Sequence, residues 1–200
     1  MRWLHRVGAF PLDRFVVVDA DVIRDRLPET PSLVAANRST AGSLTQAEAG
    51  FIAELLEREA LAAGRNTLVD GSLRDAGWYA GVIRRVRAEH AAYRVAILLV
   101  TAAPDTIYKR AARRARVTGR EVPRALLDDA LRRVPASFAA LAPLADYAAI
   151  IANEGDTAPV LLPPATLESF AAVWRTPPAG AGGDGGGGRA AEVAAAAGTE

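Results

Sequence analysis

Three short stretches hold most of the candidate chemistry. The first is VVVDADVIRDRLPE, residues 16–29, where an apolar run ends on Asp19 and Asp21 and Arg24 follows. The second is TLVDGSLRD, residues 67–75, which places Asp70 and Ser72 after a similar run. The third is YKRAARRARVTGREVP, residues 108–123. A carboxylate at the end of a buried run can accept a hydroxyl proton or hold Mg2+ through water. Ala20 and Gly71 are small enough to let a substrate approach the backbone. The plainer alternative is that each aspartate caps the next helix. Two such places in one chain favour a pocket. On a helix, Arg110, Arg113 and Arg114 share a broad face, and Arg120 follows in a short loop. Several guanidiniums around one loop suit a polyphosphate, which arginine grips with two parallel hydrogen bonds. A solvated basic face is the alternative there.

Such residues need elements to position them. Residues 15–19, 66–71, 94–101 and 147–152 are short and almost continuously apolar, the pattern of parallel strands covered on both faces. Helical patterns lie between them. The segment 45–63 opens on TQAE, a capping box of Thr45 and Glu48. Its expected apolar face is Phe51, Ile52, Leu55, Leu56 and Ala60, with Gly64 at the C′ position. Residues 76–91 place Trp78, Val82, Ile83 and Val86 on one side. Further helices are expected from Pro104 and from Pro123, the latter ended or kinked by Pro135. A short strand near residues 160–162 and a helix near 166–174 complete the pattern. Strands alternating with helices predict an α/β fold whose ligands sit at the carboxyl ends of the strands. Asp19, Asp70 and Ser72 all lie there. Residues 176–200 are Gly- and Ala-rich and are expected to be a disordered tail behind one domain, residues 1–175.

Composition excludes some chemistry. The chain has 200 residues, a net charge of +1 and no cysteine. There is thus no thiol nucleophile or zinc–thiolate site, and near-neutral charge gives no general pull toward nucleic acid or anionic membrane. A nucleic-acid patch on residues 108–123 would also want aromatic platforms or a strongly basic domain. His5 and His90, the only histidines, are far apart in sequence. No membrane span or convincing signal peptide is visible, so the expected location is the cytoplasm.

In order and spacing, VVVDADVIRDRLPE, TQAEAG, LVDGSLRD and GREVP resemble the zeta-toxin family of P-loop kinases, from about Arg2 to Asn153. The resemblance implies a three-layer α/β/α P-loop NTPase fold with a parallel sheet. It implies ATP, with Mg2+, as phosphoryl donor to a sugar hydroxyl; in bacterial toxin members the acceptor is UDP-N-acetylglucosamine. By motif, Asp21 looks like the general base, supported by Asp19, with Arg24 helping to place the acceptor. Glu48, Ser72 and Arg74 look like acceptor-site contacts. Asp70 looks like a neighbour of the metal and phosphates, held through water. Arg114 and Arg120 look like the lid arginines, with Arg113 the alternative to Arg114. An antitoxin-like protein or self-association are the implied partners.

One departure is large. No G-x-x-x-x-G-K-[ST] occurs, and Lys109 in the lid region is the only lysine. The backbone cradle for phosphates and the first strand, central in such a sheet, are both missing from these residues. The expectation is a truncated kinase, inactive as this chain. The alternatives are a degenerate, non-catalytic binding module and a P-loop kinase for another hydroxyl acceptor. Without a central strand, strands 66–71 and 94–101 should either close up against each other or recruit another chain.

Overall fold

The computed structural model describes residues 1–155 and 158–175; the expected tail lies outside the described residues. Parallel strands β1 (Phe15–Asp19) and β2 (Asn66–Asp70) pair in register, so Asp19 stands beside Asp70. Strands β3 (Ala96–Thr101) and β4 (Tyr147–Ala152) also pair in parallel, and the short β5 (Val160–Leu161) adds antiparallel to β4. The one expected sheet is therefore two. No backbone hydrogen bond joins β2 to β3, which have not closed up. The mixed α/β architecture with parallel strands stands.

The layers follow from strand alternation. Ile97 and Leu99 of β3 turn to a cluster with Leu61, Val82, Ile83, Val86, Val134 and Leu141. Those residues come from α5 (Gln46–Ala62), α6 (Ala76–Glu89) and α8 (Arg124–Leu141). Leu98 and Val100 turn to the opposite face, against Leu4 of α1 (Arg2–Arg6) and Phe170 of α9 (Leu167–Arg175). Leu68 of β2 joins that second cluster, and Val69 packs on the first. Both sheets thus share both layers. The bases of β2 and β3 lie together, because the Tyr93 hydroxyl donates to the carbonyls of Leu61 and Arg65 at 3.0 and 3.2 Å.

Several local expectations are corrected. Thr45 does not cap α5: α4 (Ala41–Leu44) runs directly into it, and its buried hydroxyl donates to the Ala41 carbonyl at 2.9 Å. Glu48 instead pairs with Glu29. Helix α5 buries Ala49, Glu57, Ala60 and Leu61, leaving Phe51, Leu55 and Leu56 exposed. The inward Glu57 is held by Arg85 of α6 at 2.7 Å, which turns the larger apolar residues outward. Tyr79, not Trp78, takes the inner face of α6. Helix α8 runs through Pro135, which sits on the solvent side where a freed carbonyl can meet water. Strand β3 starts at Ala96 rather than Arg94. Gly64 does close α5 at φ +69°, with the Gly64 and Arg65 amides bonded to Leu61 and Ala60. Among the described residues no helix is long and apolar enough to cross a membrane.

Phe170 is fully buried and touches Phe10, Tyr147 and Trp174 at centroid distances of 6.2, 5.9 and 5.4 Å. Phe170→Ala should lower unfolding free energy by roughly 3–5 kcal/mol, read from the denaturant midpoint at unchanged slope.

Candidate active site

The site grows from the carboxyl ends of β1 and β2. Asp19 ends β1 and caps α2 (Ala20–Arg24), its Oδ1 accepting from the amides of Asp21 at 2.8 Å and Val22 at 3.2 Å. The helix-cap reading is thus right for Asp19. It fails for Asp21, whose side chain points to cations. Its carboxylate meets the Arg24 guanidinium one turn on, Arg114 Nη1 at 3.4 Å and Arg120 Nη2 at 3.4 Å. Three arginines from three segments therefore converge on one carboxylate.

Each arginine is positioned differently. Arg24 is 3 % exposed and also donates to Gln46 Oε1 at 2.6 Å, while its carbonyl accepts from Thr30 of α3 (Thr30–Ala36). Arg114 projects from α7 (Pro104–Thr118). Arg120 is 8 % exposed and lies over Gly42, where an added Cβ would meet its side chain at 3.6 Å. The α7–α8 loop is pinned by Arg38, which donates to the carbonyls of Gly119 and Ala115, both at 2.6 Å. The Glu121 amide returns a bond to the Arg38 carbonyl. Gly119 ends α7 at φ +75°, which a glycine adopts without strain.

The loop after β2 is built around a second glycine. The Tyr79 hydroxyl fills the place where a Gly71 side chain would begin, and it hydrogen-bonds the Leu73 backbone. Leu73 is fully buried at φ +54°, an uncommon angle held by this packing.

Charge separates the carboxylates. Burial alone raises the Asp21 pKa, but Arg120, Arg24 and Arg114 outweigh it and hold the carboxyl below its ordinary value. Asp70 has no such escort. Burial, then Asp19 and Asp21, push it up to about 7, and only the Met1 α-ammonium and Arg114 oppose. Glu48 is raised by its bond to Glu29.

The structure thus gathers Asp19, Asp21, Arg24, Asp70, Arg114 and Arg120 at one end of the strands. On α7 it is Arg114 that reaches Asp21, while Arg113 faces solvent. Glu48 pairs away from the cluster, and Ser72 and Arg74 are exposed on the loop without side-chain partners there. Sequence reasoning missed Arg38, Gln46 and Tyr79. Only Tyr79 had a usable signal, its helical spacing with Val82, Ile83 and Val86.

A family model described as zeta toxin matches residues 4–161. The chain belongs to the zeta toxin family. No curated protein and no solved structure was found to match it. The family is one of P-loop kinases, so the α/β architecture is of P-loop NTPase type, and the activity the family implies is ATP-dependent and kinase-like. Its members generally bind ATP with Mg2+.

The donor set can be tested against those groups. Among the described residues the buried Nε atoms of Arg24 and Arg120 have no hydrogen-bond partner, and three guanidiniums share one carboxylate. That excess of positive donors fits phosphate oxygens. No group of three or more metal-ligating side chains forms among the described residues. Mg2+ is typically held by one or two carboxylates, waters and substrate phosphates, and Asp19 with Asp70 fits that lesser demand.

The elevated Asp70 has a signed consequence. The folded state keeps a proton that the unfolded state loses near 3.8, so its stabilising contribution is full below that pH and lost as pH rises through about 7. Asp70→Asn should remove this slope. The melting temperature of the variant, minus that of the wild type, should climb between about pH 4 and 7 and flatten on either side. A difference that stays level across this range would show that Asp70 titrates normally.

Proposed function

We propose that this site belongs to a zeta-type kinase that transfers the γ-phosphoryl of ATP to a hydroxyl of a nucleotide sugar such as UDP-N-acetylglucosamine. The convergence of Arg24, Arg114 and Arg120 on Asp21 at the strand ends carries the reading. Asp21 is the general base for the acceptor hydroxyl. Asp19 orients it by fixing the first turn of α2. Arg24, anchored by Gln46, positions the acceptor. Arg114 and Arg120 neutralise charge on the transferring phosphoryl group. Ser72 and Arg74, exposed on the loop after β2, meet the acceptor as it arrives, whereas Glu48 turns to Glu29 and Arg113 to solvent, which leaves the acceptor and phosphate roles to the other residues. Asp70 and Asp19 would hold Mg2+ through water, where it supplies charge neutralisation on the phosphates. The acceptor is a small molecule, the compartment is the cytoplasm, and the partner is an antitoxin-like protein or a second copy of the chain.

Asp21 and the phosphates compete for the same guanidiniums. While the arginines surround Asp21 it stays ionised but is a poor base. As phosphates draw Arg114 and Arg120 away, its proton affinity rises at the moment the acceptor must be deprotonated.

One observation favours a second reading, a non-catalytic binding module: the sequence holds no G-x-x-x-x-G-K-[ST]. Both readings predict that residues 1–200 bind phosphates without turnover of ATP. Inorganic tripolyphosphate titrated calorimetrically should bind the chain. Arg120→Ala should weaken it by roughly 10–100-fold, the loss of a charge-assisted bond of about 1.5–3 kcal/mol. Asp21→Asn should tighten it several-fold by removing the competing charge. Equal affinity in all three proteins would remove the anion-site basis of the proposal.

The kinase reading is separated by chemistry. In a form carrying a P-loop segment ahead of residue 1, transfer of the ATP γ-phosphoryl to UDP-N-acetylglucosamine is expected. Asp21→Asn should then lower kcat by roughly 10²–10⁴-fold with little change in ATP binding. Near-wild-type turnover would return Asp21 to a structural role as the partner of the buried Arg24. Absence of transfer in every such form would leave the binding module.

A further inference from the structure

The loop that joins β2 to α6 places its side chains in alternation. Ser72 and Arg74 are exposed, and Leu73 between them is fully buried. Leu73 has φ +54°, the left-handed region that glycine occupies freely and leucine does not. Among the described residues no other residue but glycine has a positive φ. A glycine at position 73 would carry that angle without strain. What the leucine adds is a side chain seated in the cluster of Tyr79, Val82 and Ile83, which anchors the loop between its two outward residues. Further contacts hold the loop from its far end. The Ser137 hydroxyl of α8 donates to the Arg74 carbonyl at 3.3 Å, and Asp75 caps α6 by accepting from the Trp78 amide at 2.9 Å. Strain kept in a well-packed loop at the mouth of a site points to a role for the conformation itself.

The Tyr79 hydroxyl is the contact with the tightest geometry. A Cβ on Gly71 would lie 2.1 Å from it, so no side chain fits at position 71 while the hydroxyl is there. The same oxygen bonds the Leu73 backbone. That bond favours the phenolate, so the Leu73 N–H is the donor. Burial pushes the phenol up to about 12, and the hydroxyl keeps its proton. Packing alone asks only for the ring, which is buried and lies edge-on to Trp78 at 4.7 Å. A phenylalanine would fill that space and leave no polar atom to satisfy. The oxygen therefore specifies the loop: it fixes the backbone at Leu73 and excludes every side chain at Gly71.

We propose that Tyr79 is a positioning residue for the acceptor: its hydroxyl sets the conformation of residues 71–74 in which Ser72 and Arg74 stand ready beside the strand ends. Tyr79 touches neither acceptor nor phosphate and acts through Gly71 and Leu73. The proposal rests on the kinase reading for the identity of the acceptor. It adds that acceptor affinity depends on a buried oxygen on α6, whereas phosphate affinity, carried by Arg24, Arg114 and Arg120, does not.

The test uses the full 200-residue chain and two titrants, UDP-N-acetylglucosamine and tripolyphosphate, each followed calorimetrically beside the melting temperature. Tyr79→Phe should weaken the nucleotide sugar by roughly tenfold, the loss of one loop hydrogen bond, and leave tripolyphosphate unchanged. Gly71→Ala should lower both the melting temperature and the sugar affinity, because its Cβ meets the hydroxyl. In the double variant G71A/Y79F the nearest ring carbon is 3.4 Å from that Cβ, an ordinary contact. Its melting temperature should return to that of Tyr79→Phe, while its sugar affinity stays as weak as that of Tyr79→Phe. Such a recovery of fold without recovery of affinity is what a purely structural tyrosine would not give. Equal sugar affinity in the wild type and Tyr79→Phe overturns the proposal. So does an affinity that follows melting temperature across the four proteins. So does an equal loss for both titrants, which would mark a general loosening of the site. A wild-type chain that binds tripolyphosphate but not the nucleotide sugar overturns the acceptor reading, and this proposal with it; a wild-type chain that binds the sugar while Tyr79→Phe binds it equally overturns this proposal alone.

Discussion

A buried guanidinium is the constraint on which the rest of the site depends. Arg24 sits almost out of water, so its charge must be matched within reach. Asp21 on the same short helix supplies the charge, and Gln46 across the gap supplies a further acceptor. That pairing fixes α2 against the start of α5 and holds Asp21 at a defined height above the strand ends. Arg114 and Arg120 then meet a carboxylate already in place. Breaking such a pair from one side leaves the other charge buried and unmatched, which typically costs about 3–5 kcal/mol. The network is therefore a device for geometry as well as for binding, and its surplus of cations is what makes it receptive to an anion.

The lid loop owes its position to a different kind of bond. Arg38 grips two main-chain carbonyls at the end of α7, and the Glu121 amide closes the arrangement. Helix ends leave carbonyls without helical partners, and here a distant arginine takes the Gly119 carbonyl and shares the Ala115 carbonyl with the Gly119 amide. Arg120 is thereby delivered to Asp21 by contacts of the protein's own loop. The site is arranged in advance, which lowers the ordering cost of binding a phosphate.

Much of this was legible in the sequence, for reasons that also set the limit. Strands buried on both faces are continuous apolar runs, and each of β1 to β4 was readable as one. Carboxylates after such runs lie at strand ends, so Asp19, Asp21 and Asp70 were placeable without knowing their partners. Arg114 and Arg113 were not separable, because one residue is about 100° on a helix and both fit a broad face. Arg38 and Gln46 carry no local pattern: their partners lie 81 and 22 residues away in the chain. Helix α5 misled because Glu57, turned inward to Arg85, reverses the face that hydrophobicity alone would bury. The TQAE motif failed as a cap because α4 already occupies the space before it.

The division of the sheet belongs to a third class, readable neither from periodicity nor from charge. Apolar runs predict strands, but pairing is a property of edges. Nothing in AILLVT says whether the N–H of Leu98 finds an acceptor. The two apolar layers hold β2 and β3 side by side through side chains, which point above and below the sheet, while the main chain points across it. Packing and pairing are thus supplied by orthogonal groups, and the core can be well filled while the ladder is interrupted. The interruption falls between the strand that ends on Asp70 and the strand that leads to α7 and Arg114. The carboxylates and the lid arginines therefore stand on opposite sides of it, and among the described residues the Asp21 ion pairs bridge above what the main chain leaves open.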